Sequence, residues 1–204
     1  MSKSESQGVN SGVLRACAMT LVVAAKDESD AAQVSASLGE LMHEHPSRAI
    51  VLRPEDDADV LDARVYAQCW MPFGKRQQIC CEQIEISASA ERVSEIPGVI
   101  VGIMAPDLPV VLWGRNAEWL EDEGFQRVFP LVHKMIVDSR QIGDNGLHYV
   151  RALRSQGKLV GDLAWTRLTS TRQTISNVFA DAGVTSRFKD VASIAIDHTG
   201  DMIS

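Results

Sequence analysis

Three cysteines, a tryptophan, a Gly-Lys-Arg turn and several glutamines fall within residues 69–84, CWMPFGKRQQICCEQI. Residues of these types can ligate a metal, exchange thiols or bind an anion at the turn. A structural zinc site needs four ligands, usually as paired Cys-x2-4-Cys or Cys/His knuckles. Here Cys69 and the Cys80/Cys81 pair fall on two facing strand candidates, and no histidine is near in sequence. Adjacent residues of a strand point to opposite faces, so Cys80 and Cys81 cannot chelate one ion together. A thioredoxin-like site needs Cys-x-x-Cys at a helix N-terminus, which is not the pattern here. Free cysteine packs as a small hydrophobe. Cys69, Cys80 and Cys81 are therefore expected to be reduced packing residues on strands, with no metal site.

The turn offers a second chemistry. Lys75 and Arg76 sit at a hairpin tip, and Arg48, Arg53 and Arg64 lie on candidate neighbouring strands. Arg48, Arg64 and Arg76 could gather into an anion site for a phosphate or an acidic partner. Charges at a hairpin tip need no function, and solvated surface groups explain them more simply. His43 and His45 flank a helix end, where the macrodipole favours histidine without any metal. His133 and His148 stand without a paired nucleophile or acid. Asp107, Asp138 and Asp162 fall at element ends, where turns and caps account for them. The first strand runs into VVAAKDES rather than Gly-x-Gly-x-x-Gly, and no Walker loop, Gly-x-Ser-x-Gly elbow or His-Glu-x-x-His occurs. No cofactor and no catalytic activity are expected.

Composition narrows the classes further. The chain has 204 residues, with 20 basic and 27 acidic side chains giving a net charge of -7. That balance disfavours bulk nucleic-acid binding, which needs a basic face. Four cysteines do not make the framework of a small secreted domain. Residues 1–12 are polar and lack the apolar core of a signal peptide. The longest apolar run, Ala16 to Ala25, is too short to span a bilayer about 30 Å thick. A cytoplasmic location with no membrane partner is expected.

These residues need a scaffold. Residues 13–25 form one apolar run of the buried-strand kind, and Asp27 offers an N-cap to an amphipathic helix over 28–44, closed by Pro46. A strand at 48–53 follows, and strand-helix-strand order predicts a right-handed parallel crossover. Runs 62–72 and 76–88 form a hairpin around Phe73, Gly74 and Lys75. A short helix from Pro97, a buried strand at 110–113, a helix over 117–130 and a strand at 133–139 repeat the unit. A helix over about 145–156 and a final helix capped by Asp162 complete the order, with Ala164, Leu168, Ile175, Val178 and Phe179 on one face. The run ASIAID near the C-terminus is strand-like. The expectation is an α/β fold: a mixed central sheet, helices on both faces and a long hairpin. Residues 1–12 read as a disordered tail, 13–160 as the α/β domain and 161–204 as a C-terminal helix and tail.

Five blocks carry a resemblance: HPSRAIVL (45–52), AQCWMPFGKRQQICCEQIEI (67–86), PDLPVVLWGR (106–115), KMIVDS (134–139) and DLAWTRLT (162–169). Together they resemble the OpcA family of bacterial glucose-6-phosphate dehydrogenase assembly proteins. The resemblance implies a non-catalytic partner that supports assembly or activation of that dehydrogenase. Family members are often longer, so residues 161–204 are expected to be a remnant of, or replacement for, a second domain. Trp and Arg dominate interface energetics, and the expected contact surface comprises Phe73, Lys75, Arg76, Trp165 and Arg167. Self-association is compatible with this role. The alternative is a sensor that binds a sugar phosphate or nucleotide through Arg48, Arg64 and Arg76.

Overall fold

The computed structural model of the chain describes residues 13–15, 17–70, 78–180, 187, 190–193 and 195. Two compact units divide it, Met1–Ile136 and Val137–Ser204. The boundary expected from the sequence lies at 160/161.

In the first unit the apolar run of residues 13–25 forms two strands rather than one, β1 (Val13–Arg15) and β2 (Met19–Ala24). Helix α1 (Glu28–Glu44) spans the expected residues. Its start is fixed reciprocally: the Asp27 carboxylate accepts from the Asp30 N–H at 2.8 Å, and Asp30 accepts from the Lys26 N–H at 3.0 Å. One orphan donor of the helix start, the Asp30 N–H, is satisfied this way, and the Lys26 N–H just before the N-cap is held as well. The chain returns as β3 (Ser47–Glu55), parallel to β2.

The hairpin strands are β4 (Leu61–Trp70) and β5 (Gln78–Ser89), antiparallel as expected. Its tip, with Phe73, Lys75 and Arg76, lies outside the described residues. A 3-10 turn then leads into α2 (Ile96–Ile103), with Pro97 in its first turn. Strand β6 (Val110–Gly114) pairs parallel with β2. The segment expected to be one helix over 117–130 is instead α3 (Ala117–Glu121) and a 3-10 stretch, Phe125–Leu131. Gly124 and Pro130 interrupt the α pattern there. Strand β7 (Lys134–Val137) pairs parallel with β6. The order is β1-β5-β3-β2-β6-β7, with β4 on the other side of β5.

Strand alternation sorts the core into two layers. Leu21, Val23, Ala49, Val51 and Cys81 pack with Ala31, Val34, Leu38 and Met42 of α1. Val22, Ala24, Ile50, Leu52 and Leu112 are equally buried and point the other way. Arg48 shares the parity of Ile50 and donates to the Ile103 carbonyl at 2.8 Å, which places α2 on that second face. Helices therefore cover both faces. Gly98 and Gly102 lie within α2, and nothing would meet a Cβ at either position. Replacing both with alanine is expected to raise the unfolding free energy by about 1 kcal/mol, because glycine loses more backbone freedom in a helix. Denaturant unfolding measures the gain, and an unchanged or lowered midpoint refutes it.

The hairpin cysteines are not all reduced. Cys69 and Cys80 are joined by a disulfide rather than packed as separate thiols. The antiparallel register sets them directly opposite, with Cα atoms 4.1 Å apart. Cys81 points to the other face and packs in the core as expected.

The second unit contains α4 (Gly146–Ser155), β8 (Leu159–Asp162), α5 (Leu163–Arg167) and α6 (Thr169–Phe179). The expected final helix is thus broken at Leu168. Of the ASIAID run, Ala192, Ser193 and Ala195 lie in no strand, and the rest falls outside the described residues.

Candidate functional site

In open α/β sheets, ligands collect outside the carboxyl ends of the strands, where connections leave in opposite directions. From β2 the chain passes through α1 to β3 on one side, and β6 flanks β2 on the other. A cleft of about 540 Å³ opens at this point, walled by the turn after β2 and the start of α1, the ends of β3 and β5, and the start of α3 after β6. Its charged lining is Lys26, Asp27, Glu28, Arg53, Glu55, Asp56 and Glu118, five carboxylates against two cations. Arg53 is already committed, with Glu55 at 2.8 Å, Glu28 at 3.1 Å and the Ser87 hydroxyl at 2.8 Å. The helix start that would cradle a phosphate is occupied by its own aspartates. Such a cleft is an unfavourable seat for a sugar phosphate or nucleotide.

Beside the cleft, Arg115 donates from Nε to both Asp30 carboxylate oxygens, at 3.0 and 2.8 Å, and from Nη2 to Oδ1. Its guanidinium also lies 4.7 Å from the Trp113 ring centre. Burial pushes the Asp30 carboxyl up, but hydrogen bonds from Arg115 and the Lys26 N–H outweigh it, so the pKa ends below the ordinary value. This pair ties the end of β6 to the start of α1. Its only sequence signal was the position of Arg115 at the end of the PDLPVVLWGR block.

Of the expected anion-site residues, Arg48 is bound to Ile103 and to Glu82 at 2.9 Å. Arg64 lies opposite Glu85 in the sheet register and is solvent-exposed beside Asp62. Glu82 and Glu85 differ in parity, so Arg48 and Arg64 project from opposite faces and are not brought together. Arg76 lies outside the described residues.

In the second unit, Asp162 caps α5 through the Ala164 N–H at 3.0 Å. It also accepts from the Ser139 N–H at 3.1 Å and hydroxyl at 2.9 Å. Arg167 donates to Asp138 at 2.6 Å and lowers the pKa of that buried carboxyl. Arg167 is thus half-exposed and held by Asp138. Trp165 stands out from α5, with the Arg172 guanidinium stacked 4.0 Å from its ring centre. No residue of α5 or α6 is buried. Trp165, Leu168, Ile175, Val178 and Phe179 are between 42 and 57% exposed. The apolar face read from the helical spacing is real, and its side chains are exposed. Residues 163–180 carry Arg167 and Arg172 and no carboxylate, within a chain of net charge -7.

Comparison with known proteins places this architecture. The family described as "Glucose-6-phosphate dehydrogenase subunit N-terminal domain" matches residues 38–155, more than half of the chain. The chain belongs to the OpcA family. It is 30% identical over 161 residues to the OxPP cycle protein OpcA of Synechocystis, covering 76% of this chain and 33% of that protein. It is 27% identical over 167 residues to the protein of the same name in Nostoc punctiforme, covering 78% of this chain and 35% of that one. The chain therefore spans about a third of the length of these relatives. The matched family segment ends before α5, so the exposed Trp165 face lies outside it. No helix among the described residues is long and apolar enough to cross a membrane.

Proposed function

We propose that this chain is a non-catalytic assembly factor that binds glucose-6-phosphate dehydrogenase and favours its active oligomer. Membership of a family defined by a subunit of that enzyme supports the partner. The observation that carries the binding role is the uncovered apolar face of α5 and α6, flanked by Arg167 and Arg172. Large exposed apolar patches mark interaction sites, and Trp and Arg supply most interface energy. The chemistry of the face asks for an apolar groove bordered by carboxylates on the dehydrogenase. An effector of this kind acts only through unequal affinity for two states of its target. The hairpin tip, with Phe73, Lys75 and Arg76, is a second contact in this reading.

Mixing the protein with the dehydrogenase of its host, followed by size-exclusion chromatography with light scattering and activity assays on the fractions, tests the role. A shared peak with altered activity is expected. Trp165→Ala should weaken the complex by about 2 kcal/mol, a roughly thirtyfold rise in Kd. Separate peaks with unchanged activity at tens of micromolar would overturn the proposal.

A further inference from the structure

Among the described residues β4 pairs only with β5, which leaves its outer edge open over ten residues. An open edge presents unpaired N–H and C=O groups to any strand that fits. Which residues present them follows from the register. The Ser89 N–H donates to the Val60 carbonyl at 2.9 Å, so even-numbered residues of this segment bond to β5. Cys69 and Cys80 form a close pair, with Cα atoms 4.1 Å apart, as expected of the alternate, non-hydrogen-bonded positions. The backbone groups of Leu61, Ala63, Val65 and Ala67 therefore point outward.

Proteins usually block such an edge with proline or with charges that repel a second copy. Here the charges are of opposite sign and two residues apart. Asp62 and Arg64 lie on one face of β4, both well exposed. Two copies of β4 running antiparallel about Ala63 would set Asp62 opposite Arg64 of the second copy, and Arg64 opposite its Asp62. Leu61 would meet Val65, which is 68% exposed, and Val60 would meet Tyr66, 44% exposed. The parity agrees as well: Ala63 with Ala63, and Leu61 with Val65, become the hydrogen-bonded pairs, using the groups that point outward. Shifting the register by two residues, which keeps the hydrogen-bond parity, sets Asp62 against Asp62 or Arg64 against Arg64, and like charges directly opposite are unfavourable.

We propose that this chain forms a two-fold dimer through the β4 edge, joining two sheets about Ala63. Two-fold interfaces are self-complementary by construction, and this strand is self-complementary in charge, apolar contacts and hydrogen-bond parity.

Sedimentation equilibrium of the purified chain over a wide concentration range tests it, with folding of each variant confirmed by circular dichroism and melting. The wild type is expected to rise from 22.3 kDa towards twice that mass. Asp62→Arg and Arg64→Asp should each weaken the dimer about tenfold or more, since both place like charges opposite each other. The double variant D62R/R64D should recover it. An equimolar mixture of the two single variants should form heterodimers, because one edge is then basic and the other acidic. Ala63→Pro removes an outward N–H, which an edge position tolerates within the monomer, and should abolish association. A wild type that stays monomeric, a dimer indifferent to these substitutions, or a double variant that fails to recover would each overturn the proposal.

Discussion

An alanine at Gly146 is expected to destabilise the second unit by at least about 3 kcal/mol, among the larger effects a single methyl can have. A Cβ there would stand 1.9 Å from the Ser139 carbonyl oxygen and 2.7 Å from its carbon. The obstacle is backbone, not the tip of a flexible side chain. That backbone is also held: the Ser139 N–H and hydroxyl both donate to Asp162, whose carboxylate caps α5. Relief of the clash would have to move α4 or break the Asp162 cluster. Gly157 is the control. It has a positive φ of 80° but open space around it, so alanine there should cost only about 1 kcal/mol of backbone strain. Hydrogen exchange through residues 146–162, with denaturant unfolding, separates the two. Equal losses at Gly146 and Gly157 would refute the packing argument.

The second large effect is Arg115→Met. The substitution keeps much of the aliphatic bulk beside Trp113 but leaves the Asp30 carboxylate, 9% exposed, without its bidentate partner. Removing one member of a buried pair costs about 3–5 kcal/mol, mostly the penalty of a stranded charge. The dependence on pH should invert. In the wild type the Asp30 pKa is lowered on folding. Its contribution is complete above the unfolded value of about 3.9 and is lost as pH falls through the folded one. Without Arg115, burial, the largest influence on that carboxyl, is opposed by Lys26 alone, so the folded pKa should rise and the variant should gain stability as pH drops through it. Urea unfolding of both proteins at several pH values decides this. Parallel profiles would mean that the pair is not the source of the effect.

The elements most legible in the sequence were those governed by neighbours a few residues away. Asp27 starts α1 because its side chain reaches the Asp30 N–H within one turn, and Pro46 stands just beyond the helix end. The parallel pairing of β2 and β3 follows from the helix between them, which carries the chain back to the end where β2 began. The break between β1 and β2 was not legible, because one apolar run suits one strand or two. Only pairing with β5 on one side and with β3 and β6 on the other separates them. The division of residues 117–130 into α3 and a 3-10 stretch depended on Gly124 and Pro130, whose weight the apolar periodicity concealed.

The candidate surfaces divide along the same line. Hydrophobic spacing identified the face of Leu168, Ile175 and Val178 but could not say whether it met the sheet or solvent, since spacing is the same in both cases. Arg48 and Arg64 looked like neighbours on adjoining strands, and one step of register sends them to opposite faces. Cys69 and Cys80 read as packing residues until the hairpin register set them face to face. By itself, then, the sequence determined helix α1 with its cap, the crossover from β2 to β3, the hairpin of β4 and β5, the two-sided α/β architecture and membership of the OpcA family. All of these rest on local periodicity, caps and ordered motif blocks. Register, the disulfide, the acidic cleft, the Asp30–Arg115 clamp and the open β4 edge were decided only by tertiary structure. Each depends on which distant residues stand opposite one another, and that follows from the pairing of whole strands.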